Sequence, residues 1–143
     1  MSTNMRPEIS ERNPYWIPRE RYYELKHFCR QYPIWKKAYN TLDGLSKRPS
    51  DSLEIWKKHK NGGHVSDPTA RIAEAKANFS RKIEMVENCI RNTDSVLYPY
   101  IIKYVTIGCS YDALKVKDNI PCGRDFFYDR IRKFFWLLSK ERG

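Results

Sequence analysis

Five side chains near the C-terminus form the candidate contact with a polyanion: Arg124, Tyr128, Arg132 and Lys133, whose chemistry suits one, and Asp125 among them. An arginine fork can grip the O6 and N7 edge of guanine in two parallel hydrogen bonds, whereas a lysine ammonium meets phosphate as a point charge. Tyr128 and Arg132 can reach a base or a phosphate, while Asp125 lowers the positive charge of the group. Elsewhere the chain offers little reactive chemistry. His27, His59 and His64 are far apart, and no pair has the helical spacing of metal ligands. Cys29, Cys89, Cys109 and Cys122 are scattered, which suits four free thiols better than a metal or redox motif. Gly62-Gly63 lacks the Gly-Lys-Ser/Thr of a phosphate loop, and Glu84 with Glu87 falls on the exposed face of a charged helix. No metal, no cofactor and no enzymatic activity are expected.

The elements that must hold those five residues follow from periodicity. A final helix from Cys122 or Gly123 to Lys140 places Phe127, Ile131, Phe134, Phe135 and Leu138 along one stripe. Asp125, Asp129, Arg132, Lys133, Ser139 and Lys140 lie opposite, with Trp136 among them as a packing residue. Before it, Ser110 can cap a short helix from Tyr111 to Val116, followed by a turn through residues 117–121. This is the helix-turn-helix plan, with Arg124 near the start of the reading helix.

Upstream, Gly108 closes a helix through Val96, Leu97, Tyr100, Ile101, Tyr104 and Val105, whose start Pro99 makes tight or kinked. Ser66-Asp67-Pro68 announces a long helix that carries Ile72, Ala75, Phe79, Ile83, Val86 and Ile90 over about five turns and ends near Asn92. Pro18 opens a helix through Tyr22, Leu25, Phe28 or Cys29, and Tyr32. Pro33 interrupts it, and a second short helix through Trp35, Ala38, Tyr39 and Leu42 stops at Gly44. The expected fold is all-α, a small helical bundle with a C-terminal helix-turn-helix. Residues 1–14 form a flexible tail and 15–143 a single helical domain. Within that domain 15–43 hold the N-terminal helices, 44–65 a mobile connector, 66–107 the long helices and 108–143 the helix-turn-helix.

Composition agrees with a packed domain. The 143 residues include four Trp, ten Tyr and six Phe, enough ring surface to build a core. Lys and Arg number 27 against 17 Asp and Glu, a formal net charge of +10. Such a charge favours nucleic acid but by itself argues only solubility and non-specific attraction. No apolar run approaches the ~20 residues that span a bilayer, so no membrane partner is expected. Residues 1–13 lack an apolar leader, and a cytoplasmic protein is expected. Geometry alone leaves two readings open: a DNA-reading head, or a plain bundle whose charged face is merely solvated. The long helix keeps near-heptad spacing for about three heptads, too few to decide an oligomeric state.

The run Pro18-Arg19-Glu20-Arg21-Tyr22-Tyr23-Glu24-Leu25 through Phe28-Cys29-Arg30-Gln31-Tyr32-Pro33-Ile34-Trp35-Lys36 resembles a set of small proteins encoded by Firmicutes phages and prophages. The resemblance continues at Ser66-Asp67-Pro68-Thr69-Ala70 and Tyr98-Pro99-Tyr100. It extends to Pro121-Cys122-Gly123-Arg124-Asp125-Phe126-Phe127-Tyr128 and Arg132-Lys133-Phe134-Phe135-Trp136-Leu137-Leu138. In layout the chain is similar to the RinA and ArpU phage transcriptional regulators, whose C-terminal part resembles the helix-turn-helix of sigma-factor region 4. Pro121-Cys122-Gly123 departs from the polar Ser/Thr run usual there. The resemblance implies a DNA-binding regulator with double-stranded DNA as partner and RNA polymerase as a second. Two other classes stay open: a packaging or structural protein like a small terminase subunit, and a protein-interaction module that binds no DNA.

Overall fold

The computed structural model describes residues 11–46 and 67–143. Its described residues form six helices and no strand, so the chain is all-α: α1 Arg19–Arg30, α2 Tyr32–Ser46, α3 Pro68–Thr93, α4 Tyr98–Ile107, α5 Tyr111–Asp118 and α6 Arg124–Arg142. Residues 1–10 of the expected tail and 47–65 of the expected connector lie outside the described residues.

Short-range hydrogen bonds set most of these boundaries. Asp67 Oδ1 accepts from the Thr69 amide at 3.0 Å and starts α3, with Pro68 in the first turn. Asp94 Oδ1 accepts from the Val96 and Leu97 amides, both at 3.0 Å, and turns the chain into α4. Pro99 lies in the first turn of α4, where its missing N–H leaves no bond unmade. Gly108 adopts the left-handed conformation at φ 77° and closes α4. Ser110 Oγ accepts from the Ala113 amide at 3.1 Å and caps α5.

The last helix starts at Arg124 and runs two residues past Lys140, and three other boundaries also differ from expectation. The break before α2 falls at Gln31, and Pro33 belongs to the first turn of α2 rather than to the interruption. Helix α2 runs through Gly44 to Ser46, because Gly44 is not left-handed and the Ser46 hydroxyl donates to the Asp43 carbonyl at 2.9 Å. Helix α5 continues past Val116 to Asp118, where Asn119 at φ 55° ends it. Asparagine tolerates that region better than most residues.

The sequence suggests one domain over 15–143; the chain divides into two compact units. Among the described residues, one comprises 11–33 and 84–143. There α1 packs on α4 and α6, and α4 packs on α5. The expected stripe of α6 is its centre: Phe127, Ile131, Phe134 and Leu138 are fully buried, and Phe135 nearly so. Burying each such side chain contributes about 1.5–3 kcal/mol. Edge-on rings lock the stripe to its neighbours, Tyr22 against Phe135 at 5.1 Å and Tyr104 against Phe127 at 5.4 Å. The other unit comprises, among the described residues, 34–46 and 67–83. In it Trp35 and Ile83 are buried, Lys82 Nζ lies over the Trp35 ring at 5.8 Å, and Lys76 pairs with Asp43 at 2.8 Å.

Candidate nucleic-acid interface

The turn between α5 and α6 covers residues 119–123, longer than the three or four usual in a helix-turn-helix. Its length lets the chain run back along α5, so the first turns of the two helices meet. Tyr111, the first residue of α5, donates its hydroxyl to the Cys122 carbonyl at 2.6 Å. Its ring leans on Phe127 at 5.7 Å. The Arg124 guanidinium lies over the Tyr111 ring at 5.2 Å and donates from Nη2 to Asp112 Oδ1 at 2.6 Å. Asp112 and Asp125 each sit in the first turn of their helix, where a carboxylate complements the positive end of the dipole. Gly123 brings no capping side chain to α6.

The five expected residues have unlike surroundings. Arg124 and Asp125 are exposed. Tyr128, expected to reach a base or a phosphate, is instead 9% exposed and packs against Tyr104 at 6.1 Å. Burial raises its pKa, opposed by Arg124, which hydrogen-bonds the phenol. Tyr128 thus supports Arg124 from within. Arg132 and Lys133 are half-buried, and neither forms an ion pair among the described residues. The Arg132 Nε is buried with no hydrogen-bond partner.

Nor do the five share one face. At roughly 100° per residue, Lys133 lies half a turn around α6 from Arg124, while Tyr128 and Arg132 drift progressively between them. The polar side of α6 is also partly covered toward its C-terminal end. Arg21 donates from Nε to Ser139 Oγ at 3.0 Å and from Nη2 to the Ser139 carbonyl at 2.8 Å. Trp136 is used for packing, as its type suggests: Tyr15 meets it edge-on at 5.5 Å and Lys140 Nζ lies 3.4 Å above the ring.

Tyr111 and Asp112 were absent from the sequence-based site. Nothing local marks them, because their partners are brought by the turn. Phe126, two positions after Arg124, is 50% exposed and stacks under the Arg130 guanidinium at 5.2 Å. Arg130 in turn donates to Asp129 at 2.7 Å.

Among the described residues no group of three or more His, Cys, Asp or Glu could hold a metal ion, and no helix is long and apolar enough to cross a membrane. The four cysteines are free. Burial pushes the Cys89 thiol up to about 11 and raises Cys29 further. No protein-family model, curated protein or solved structure matches the chain.

Proposed function

We propose that this chain is a DNA-binding transcriptional regulator of phage origin that meets duplex DNA at the corner of α5 and α6. The observation that carries the reading is the state of Arg124. Its guanidinium is exposed at the first position of α6, yet it is held from two sides by Asp112 and the Tyr111 ring. A fork held in place loses little conformational entropy when it engages a planar base edge, and reading helices present their base contacts at this end. Asp112 and the Tyr128 phenol engage part of the guanidinium, and of its five N–H groups those that remain can face guanine O6 and N7. Arg132 and Lys133, without ion-pair partners among the described residues, are available to phosphates. The resemblance to phage regulators with a sigma-like C-terminal part adds RNA polymerase as the protein beside which such a regulator acts.

Selection of bound duplexes from a random pool, followed by fluorescence anisotropy across a salt series, tests the reading. One enriched motif is expected, with a log–log salt slope of roughly −4 to −5 if ~4–6 phosphates are neutralised. No enrichment and a flat salt response would remove it. That outcome would favour a protein-interaction role, for which the exposed Phe126 and Val116 offer apolar surface.

A further inference from the structure

A cleft of about 30 Å³ opens between α1, α4 and the start of α5, where Tyr22, Lys26, Arg30, Tyr104, Gly108 and Ser110 contribute to its walls. Its charge is one-sided. Lys26 and Arg30 line it, no carboxylate does, and neither cation forms an ion pair among the described residues. Tyr22, Lys26 and Arg30 follow one another at intervals of four, which stacks them in a row along one face of α1. Arg30 is held against Gly108: a Cβ there would lie 2.8–2.9 Å from the guanidinium atoms. The end of α4 at Gly108 favours a cation, so the fold places Arg30 without neutralising it.

Tyr22 supplies the second observation. It is 5% exposed, and its phenol makes no hydrogen bond with any described residue. The hydroxyl oxygen keeps access to solvent, so its proton is free to be donated into the cleft. Ser110 lines the same cleft. Its Oγ accepts from Ala113, which leaves its own proton to donate. The cleft therefore converges two cations and two hydroxyl donors on a space with room for about one water or one phosphate oxygen.

We propose that this cleft is an anion site that takes a phosphate group, and that in the DNA complex it takes a backbone phosphate of the duplex. The assignment of the phosphate to DNA rests on the function proposed above. Position supports it: Ser110 immediately precedes Tyr111 and Asp112, the two residues that hold Arg124. Reading corner and cleft thus meet at the N-terminal end of α5, one suited to a base edge and the other to the backbone. A phosphate bound here would fix the register of the reading helix without choosing a sequence.

Lys26→Gln and Arg30→Gln, each in the full chain, test the site with two probes: a random-sequence duplex and inorganic phosphate. Each variant is expected to weaken duplex binding about threefold to tenfold and to make the log–log salt slope shallower by about one. Backbone amide shifts of Gly108 and Ser110 should move on titration with inorganic phosphate in the wild type and stay still in Arg30→Gln. Both side chains reach the surface, and Arg30→Lys, which keeps the charge, should retain most of the binding. If the wild type binds no duplex while phosphate still moves those amides, the DNA reading fails and the cleft stands as a site for free phosphate. If neither duplex affinity nor the phosphate-induced shifts respond to either substitution in a folded variant, the anion site is overturned.

Discussion

Asp112 and Arg124, each in the first turn of its helix, are joined by a 2.6 Å ion pair across the turn that separates α5 from α6. The two side chains are 51% and 43% exposed, so the pair is worth at most about 1 kcal/mol to the fold. Its consequence is orientation: the carboxylate pins one edge of the guanidinium while Tyr111 supports its face.

Arg124→Ala is expected to cost about 1–3 kcal/mol on the preferred duplex and little on random DNA, relaxing preference at one base position. Asp112→Asn should lose part of the same discrimination, because the fork is retained but no longer held. Neither change should move thermal stability by more than about 1 kcal/mol. Equal losses on preferred and random duplexes, measured by competition, would make Arg124 a phosphate contact and remove the reading head.

Lys133→Ala should behave differently, since Lys133 lies half a turn away from Arg124. All duplexes should weaken alike, with a salt slope shallower by about one. Unchanged affinity at every salt concentration would take the outer side of α6 out of the interface.

Tyr111→Phe keeps the ring under Arg124 and deletes only the 2.6 Å hydrogen bond to the Cys122 carbonyl. The urea midpoint should fall by the equivalent of about 1–2 kcal/mol, with base preference kept. A loss of preference without loss of stability would show that the hydroxyl acts on the DNA rather than on the turn.

Gly108→Ala meets two obstacles. The position is left-handed at φ 77°, and the new Cβ would strike the Arg30 guanidinium at 2.8–2.9 Å. The left-handed conformation alone costs an alanine roughly 1–2 kcal/mol. Combining Gly108→Ala with Arg30→Ala should recover only the steric share, a partition that a double-mutant cycle measures. Full recovery would contradict a backbone penalty at this turn.

Alkaline pH should unfold the protein from within. Burial raises the pKa of Cys89 from 9.0 to about 11 in the fold, so the folded chain holds that proton more tightly than the unfolded chain. Its contribution is complete below pH 9 and is lost as the pH rises toward 11. Cys29 and Tyr22, raised by burial beyond that range, act in the same direction. Urea midpoints should be steady from pH 7 to 9 and then fall. A midpoint still flat at pH 11 would contradict burial of these groups.

What the chain discloses locally, it discloses well. The caps at Asp67, Asp94 and Ser110 and the stop at Gly108 depend on bonds that span two to five residues. The buried stripe of α6 follows from a periodicity that any helix must respect. All-α character and the helix, turn and helix of the C-terminal segment therefore lie open in the residues. The candidate site lies open only in part. Arg124 can be picked out by its type and its place at a helix start, and it is exposed. Tyr128 carries the same kind of signal, but a helix wheel assigns it to a boundary that Tyr104, 24 positions away, turns into core. The cover over the polar side of α6 comes from Arg21, 118 positions from Ser139 in the chain. Asp112 reaches Arg124 only because a five-residue turn doubles back, and Arg30 reaches Gly108 only because α1 packs on α4. Helix boundaries are decided by neighbours in sequence, whereas the availability of a charge is decided by what the fold lays beside it. That is settled only when distant segments pack.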